Sequence, residues 1–203
     1  MKTEILKIKG DWFEVVDDCR TTVGKEALGK EPSEAFKRAI LISEHSPIRD
    51  LIVKWHWAGI KSWVATHWAR HKFEKFVKTQ RTDRTGIDRN DLPQGELVNM
   101  TCEANAQHLI DAFRKRLCYQ ASPETREYAE DFKVALHEVQ PELSDVLTPN
   151  CIYRCGCPEL NGGCDWYKNA VKACPDLAST DIQKRYDAYN TYFALHGSIF
   201  HKK

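Results

Sequence analysis

A dense run of basic side chains occupies residues 69–84, ARHKFEKFVKTQRTDR, with six Lys or Arg residues and one histidine. The whole chain has 30 Lys and Arg against 29 Asp and Glu, a formal net charge of +1. That balance argues against a protein whose surface is basic overall, as in a nucleic-acid coat. Arg and Lys in a local cluster suit small anions, because Arg gives paired charge-assisted hydrogen bonds and Lys a point charge. The alternative is a solvated surface without a ligand.

A second group of polar side chains lies in residues 105–116, NAQHLIDAFRKR, where the apolar spacing predicts a helix. Asn105 and Arg116 are eleven residues apart, about three turns, so they should face the same way. Gln107 and Asp111 share another face through their spacing of four. The alternative is an ordinary amphipathic helix whose polar residues lie in solvent.

Cysteines concentrate after residue 150. Four of them follow the spacing C-x3-C-x-C-x6-C, which differs from the paired C-x2-C of common zinc sites: Cys151, Cys155, Cys157 and Cys164. Three interpretations stay open for this cluster, namely a structural metal site, reduced thiols and a disulfide. Zinc is the metal that such a thiol-rich set favours.

The composition predicts a cytoplasmic protein. No apolar segment typical of a secretory signal follows MKTEILKIKG, and no apolar run approaches the roughly 20 residues of a membrane span. We therefore expect no membrane partner, and thiols in preference to a disulfide framework. The crowding of cysteines predicts a main domain over residues 1–150, with a Cys-rich segment and C-terminal helix over 151–203 packed on it.

Hydrophobic periodicity places these residues on secondary-structure elements. Residues 51–57 alternate as a strand that ends at Gly59, and a helix from residue 60 carries ARHK at its C-terminal end, after which the basic run becomes a loop. The other predicted elements are a strand over 11–16, a helix over 33–43 capped by Ser33, an irregular loop over 85–97, helices over 105–118 and from Ser122 to Pro141, and a last helix capped by Ser179.

The order of these segments resembles the flavin-dependent thymidylate synthases, also called thymidylate synthase complementing proteins. The segments that carry the resemblance are CRTT (19–22), EHSPIRDL (44–51), ARHK (69–72), TQR (79–81), NAQHLIDAFRKR (105–116) and PETR (123–126). ARHK is similar to the family's Arg-His-Arg triplet and TQR to its Ser-Gln-Arg stretch, with one residue fewer between them. The resemblance implies a short, divergent member with an α+β fold, in which a mixed, largely antiparallel sheet packs against helices.

The resemblance also implies which residues bind which ligand. Arg116 would contact the pyrimidine and act as the catalytic residue, because a cation stabilises negative charge that develops on the ring. Those implied for FAD are His45, Arg70, His71, Lys72, Asn105, Gln107 and Asp111. Those implied for dUMP, besides Arg116, are His67, Thr79, Gln80 and Arg81.

The implied reaction is methylation of dUMP to dTMP. Methylenetetrahydrofolate would donate the carbon, and FAD would carry a hydride supplied by NADPH, without a cysteine nucleophile. The implied assembly is a homotetramer whose active sites are shared between subunits. One alternative is a related flavin- and folate-dependent enzyme that makes a hydroxymethyl product. Another is a nucleic-acid-binding module, but we expect no nucleic-acid partner, because the tryptophans fall on predicted core faces and the net charge is near zero.

Overall fold

A four-stranded antiparallel sheet lies at the centre of the chain, in the order β1-β2-β4-β3. The computed structural model describes residues 2–160 and 163–197. Its strands are β1 (Thr3–Lys9), β2 (Ile52–Lys61), β3 (Glu74–Val77) and β4 (Leu97–Asn105). Its α-helices are α1 (Trp12–Thr21), α2 (Glu34–Ile42), α3 (Ser62–Ala69), α4 (Thr82–Thr85), α5 (Ala106–Arg116), α6 (Pro123–His137), α7 (Pro141–Asp145), α8 (Asn150–Tyr153), α9 (Asp165–Ala173) and α10 (Ile182–His196). This arrangement confirms the predicted α+β class, and every strand pair in the described part is antiparallel.

The predicted strand at residues 51–57 is confirmed as the first part of β2. Val53, Trp55 and Trp57 alternate into the core and are fully buried, as the period of two requires. The prediction that Gly59 ends the strand is wrong. Gly59 has a φ of +64° and lies where the pairing with β4 shifts register, so it forms a bulge and the strand continues to Lys61.

The prediction of a strand at residues 11–16 is wrong, because this segment contains the start of α1. Asp11 caps the helix by accepting a hydrogen bond from the Glu14 backbone N–H at 2.9 Å. Trp12, Val15 and Val16 are buried at helical spacing. The first strand is instead β1, which pairs with β2.

The core joins the sheet to α5 and α6. Phe113 of α5 and Phe132 of α6 pack at 4.7 Å between ring centroids, and Phe132 lies 4.9 Å from Trp55 of β2. Ser122 caps α6 as predicted, accepting from the Thr125 backbone N–H. Strand β4, which the sequence did not predict, runs directly into α5, so the position of this helix is fixed by the sheet.

The segment after residue 150 joins the same core. Buried Arg185 of α10 donates hydrogen bonds to the backbone carbonyls of Ile152 at 2.7 Å and Tyr153 at 2.8 Å. Helix α10 starts at Ile182, capped by Asp181, and not at the predicted Ser179. The domain boundary at residue 150 stays a prediction. None of the helices described has the length and apolarity needed to cross a membrane.

Candidate active site

The end of α3 places the first basic triplet. The helix ends at Ala69 with Arg70 as its C-cap, as predicted, and the chain turns through His71 and Lys72 before β3. The basic run does not remain a loop, because its residues 74–77 form β3 at the edge of the sheet. The turn is therefore held between a helix and a strand.

This turn forms one wall of a cavity of about 370 Å³, which we call the basic cleft. The cleft is lined by Arg70, His71, Lys72, His108, Asp111, Arg114, Lys115, Asn150, Tyr153 and Arg154. Five of these side chains are Arg or Lys and one is a carboxylate, so the cleft favours anions. Phosphate or pyrophosphate is the chemistry that it suits.

Arg116, the last residue of α5, contacts the same turn. Its Nε donates to Nε2 of His71 at 2.7 Å, and its Nη2 donates to the backbone carbonyl of His67 at 2.7 Å. Within the described residues no acceptor pairs with its Nη1. Two contacts thus fix the planar guanidinium and leave one amino group available to a ligand.

His71 must be neutral to accept this hydrogen bond. Burial, with the positive charges of Arg116, Lys115 and Lys75, lowers the pKa of His71 from 6.5 to about 4. His67, whose pKa is lowered by burial and by Arg116 and Arg70, bonds through Nδ1 to Oγ1 of Thr125 at 2.8 Å. At neutral pH His71 therefore serves as an acceptor that orients Arg116.

A pH-dependent stability follows from His71. The unfolded chain takes up a proton near pH 6.5 and the folded chain only near pH 4, so the free energy of unfolding should fall as the pH drops through this window. His71→Gln cannot be protonated and should show a shallower fall between pH 6.5 and 4. Chemical denaturation across this range measures the difference. The exposed His196→Gln serves as control, and an unchanged profile in His71→Gln would refute the assignment.

Glu44 contacts Arg114, which lines the basic cleft. Its carboxylate forms an ion pair with Arg114 and accepts from Nε2 of Gln107 at 2.6 Å. The Arg114 guanidinium lies 3.5 Å from the centroid of the Tyr153 ring. Glu44 has a φ of +52°, a left-handed conformation that is unusual for a residue other than glycine.

The sequence prediction missed Glu44, which pairs with Arg114, and six residues that line the cleft: His108, Arg114, Lys115, Asn150, Tyr153 and Arg154. Arg114 had a usable signal, because it lies three residues after Asp111 and seven after Gln107 on the same helical face. Tyr153 and Glu44 had no such signal, since both contact Arg114 from other parts of the chain.

The predicted flavin-binding residues of α5 occupy different positions. Asp111 lines the basic cleft, whereas Gln107 bonds to Glu44 and, at 3.3 Å, to Asp111. Asn105 caps α5, and its Oδ1 accepts from the His108 backbone N–H at 2.9 Å. The cap uses the oxygen of Asn105, so its amide nitrogen is the group left for a ligand.

His45 lies outside the basic cleft. It lines a separate depression with Cys19, whose Sγ is 3.9 Å from Nδ1 of His45. Helix α2 supplies another part of the wall, including Phe36 and Ile40. Within one chain the structure therefore does not bring His45 together with Arg70, His71 and Lys72.

Thr79, Gln80 and Arg81 also lie outside the basic cleft. They follow β3, where Arg81 is exposed and pairs with Asp83 through bonds of 3.0 and 2.8 Å. In one chain the second predicted phosphate-binding stretch is therefore apart from the first.

Three of the four predicted cysteines, Cys151, Cys157 and Cys164, line one cavity, and Cys155 lies outside it. Cys155 is exposed, and its Sγ donates to the carbonyls of Ala178 at 3.3 Å and Ser179 at 3.5 Å. All eight cysteines are free thiols, so the disulfide alternative is wrong for this structure. Among residues 2–160 and 163–197, no group of three or more His, Cys, Asp or Glu side chains is arranged to hold a metal ion.

Comparisons with known proteins identify the fold. A UMP/dUMP methylase, PolB from Streptomyces cacaoi bound with 5-Br dUMP, superposes with a TM-score of 0.58 at 14% identity, over 71% of this chain and 93% of that one. Two structures of the flavin-dependent thymidylate synthase ThyX from Helicobacter pylori with FAD and dUMP superpose with TM-scores of 0.58 and 0.60 at 14% identity, over 73% of this chain and 100% of theirs. The chain thus has the fold of these enzymes. No family model matches the sequence, and no curated protein matches it.

Proposed function

We propose that this chain is a flavin-dependent thymidylate synthase, which methylates dUMP to dTMP with methylenetetrahydrofolate as carbon donor and NADPH as reductant. The shared fold supports this proposal, because the neighbours with that fold were solved with FAD and dUMP or with a dUMP analogue. The fold alone does not determine the chemistry, so the proposal depends on the residues of the site.

The hydrogen bond between Arg116 and His71 is the strongest support for this proposal. Arg116 and His71 belong to two segments that resemble the family's motifs, and they are 45 residues apart in sequence, yet their side chains bond at 2.7 Å. If both segments were only solvated surface, a direct hydrogen bond between them would not be expected. Their contact places a fixed cation beside a basic cleft, which is the arrangement that a phosphate-bearing cofactor and an electron-rich pyrimidine require.

The basic cleft fits the phosphate part of FAD. Arg70, Lys72 and Arg154 offer charge-assisted donors for a pyrophosphate, and Tyr153 offers an aromatic face. His71 and Asp111 complete the wall nearest α5, and Asn105, Gln107 and His45 are the further residues that we propose for the cofactor. When bound, FAD would supply hydride-transfer chemistry.

Arg116 would act on the pyrimidine. Its guanidinium is already oriented by His71 and the His67 carbonyl, so no reorganisation would be needed when negative charge develops on the ring. His67 would line the substrate side of the site, held by its bond to buried Thr125.

The position of Thr79, Gln80 and Arg81 supports active sites shared between subunits. These residues lie apart from the basic cleft of their own chain, next to the exposed apolar residues Phe76 and Val77 of β3. In a homotetramer they would hold the dUMP phosphate in a cleft of another subunit. This assembly, like a cytoplasmic location, stays a prediction.

A hydroxymethyl product is the alternative, because the interval between Lys72 and Thr79 is one residue shorter than the family's pattern. Both functions require a flavoprotein that binds dUMP. The binding of FAD and dUMP can therefore be tested before the product is identified.

The purified protein should be yellow. We expect the absorbance bands of oxidised flavin at about one FAD per chain, bleaching when NADPH is added without oxygen, and a change in the bands when dUMP is added. A colourless protein that takes up no FAD on reconstitution would refute the proposed function. Reconstitution with FMN in place of FAD is the control for cofactor identity.

A further inference from the structure

A second cavity, of about 330 Å³, lies beside the basic cleft, and we call it the cysteine-lined cavity. It shares Arg114, Lys115 and Asn150 with the basic cleft, so the two cavities adjoin at the end of α5. Of the two, Arg116 lines the cysteine-lined cavity. A ligand group that Arg116 contacts should therefore lie in this cavity, and not with the phosphates in the basic cleft.

Two further parts of the chain form walls of the cysteine-lined cavity. One is the turn between α5 and α6, and the other is the Cys-rich segment up to the first turn of α9. Cys118, Tyr119 and Ala121 come from the turn, and Cys157, Cys164 and Trp166 come from the Cys-rich segment. The cavity is thus formed by the fold and not by one local motif.

These walls suit a flat, uncharged ring. The rings of Tyr119 and Trp166 stack at 4.4 Å between centroids, and the Arg126 guanidinium lies 4.1 Å from the centroid of Tyr119. Burial raises the pKa of the Cys118 thiol and raises that of Cys151 to about 12, so both thiols are neutral at pH 7. A pyrimidine base is such a ring, and its carbonyl oxygens accept hydrogen bonds.

Two arginines of the cavity are already engaged within the chain. Arg114 forms an ion pair with Glu44, and Arg116 bonds to His71 and to the His67 carbonyl. In the described part of the chain Nη1 of Arg116 has no partner, so this cation offers one fixed donor. A single donor suits the carbonyl oxygen of a base, whereas a phosphate is bound by several charge-assisted donors.

We propose, on the basis of the proposed function, that the pyrimidine ring of dUMP occupies the cysteine-lined cavity, with a ring carbonyl on Nη1 of Arg116. The phosphates of FAD would lie next to it in the basic cleft. The Cys-rich segment would thereby form one wall of the substrate site. Cys157, Cys164 and Trp166 would limit the size of the groups that the ring can carry, which makes them specificity-determining residues. No covalent step is involved, since the thiols stay unmodified.

Alkylation of the unaltered, FAD-loaded chain by N-ethylmaleimide tests this placement, with each cysteine followed by mass spectrometry. Cys118, Cys157 and Cys164 are partly exposed and line the cavity, whereas Cys155 is exposed outside it. At about ten times the Kd of dUMP, labelling of the three cavity thiols should slow about tenfold, because only the free site reacts. Labelling of Cys155 should not change, so it is an internal control.

Ala121→Trp tests the same placement by filling the cavity from the turn between α5 and α6. This variant should retain FAD and bind dUMP at least about tenfold more weakly, because the indole takes the place of the pyrimidine ring. Ala173→Trp is the matched control and should bind dUMP as the parent does. Ala173 is exposed at the end of α9 and lines neither cavity.

Two results would overturn this placement and leave the proposed function standing. The first is a flavin spectrum that responds to dUMP while no cavity thiol is protected and Ala121→Trp binds dUMP normally. The second is protection of the cavity thiols by FAD alone, relative to the apoprotein, which would assign the cavity to the cofactor. A protein that takes up no FAD would refute the proposed function and this placement together, and absorbance shows that result before any labelling.

Discussion

Arg116→Lys should retain bound FAD and lose turnover by roughly 10–1000-fold, and Arg116→Ala should lose more. Lysine keeps the charge but has no planar fork, so its single nitrogen cannot reproduce the geometry in which separate nitrogens of Arg116 bond to His71 and to the His67 carbonyl. The charge should matter most when the pyrimidine becomes electron-rich, so kcat should fall more than the affinity for dUMP.

Three measurements on the same preparations separate catalysis from binding: flavin absorbance, reduction by NADPH and conversion of dUMP. Arg89→Lys, at an exposed position, is the control and should behave as the parent. If both Arg116 variants convert dUMP at the parental rate, Arg116 has no catalytic role and is only a surface residue of an amphipathic helix. Loss of FAD in both would assign it to cofactor retention and contradict its placement at the pyrimidine.

Arg70→Ala should weaken FAD binding by about 1.5–3 kcal/mol, or about 10–150-fold in dissociation constant, the scale of a hydrogen bond to a charged group. Arg70 lines the basic cleft at the C-cap of α3, where Asp111 is the one carboxylate among the lining residues. Its loss should therefore reduce the attraction for a pyrophosphate directly. Titration of the apoprotein with FAD, followed by flavin fluorescence, measures the change.

Arg81→Ala is the matched control from the same basic run. It lies outside the basic cleft of its own chain and pairs with Asp83. We expect it to retain FAD and to raise the KM for dUMP. If Arg70→Ala binds FAD as tightly as the parent, the turn after α3 is not the cofactor site. If Arg81→Ala loses FAD as well, the two halves of the run serve one ligand.

Local signals in the sequence predicted the elements around the site well. Ser33 and Ser122 each cap a helix through the backbone N–H three residues on, as their types and positions indicate. Strand β2 shows the period of two because one of its faces is buried and the other is not. These features depend on neighbouring residues, so the sequence displays them directly.

The failures come from segments whose local pattern is ambiguous. Residues 11–16 hold a short apolar run that fits a strand or the start of a helix, and the cap at Asp11 decides for the helix. Strand β3 was missed because its residues are mostly exposed, and an edge strand gives a weak pattern. Its hydrogen bonds to β4 stabilise the extended conformation, which the local sequence does not indicate.

The site was predictable only in part. Arg70, His71, Lys72 and Asp111 line one cleft, as their motifs suggested. The Glu44–Arg114 ion pair joins residues seventy positions apart and shows no spacing signal. The cysteines show the same limit, since Cys118 comes from before α6 and still lines one cavity with Cys151, Cys157 and Cys164. Long-range contacts of this kind are set by the packing of α5 against the sheet.

Mass spectrometry of the nucleotide product is the decisive test of whether this protein methylates dUMP. The full chain would be incubated without oxygen with FAD, NADPH, methylenetetrahydrofolate and dUMP, and with each omitted in turn. We expect dTMP, a product heavier than dUMP by one CH₂, whose formation needs every component. A product that carries one oxygen more would establish the hydroxymethyl alternative and contradict methylation. Unchanged dUMP with the flavin-loaded protein would contradict the proposed function itself.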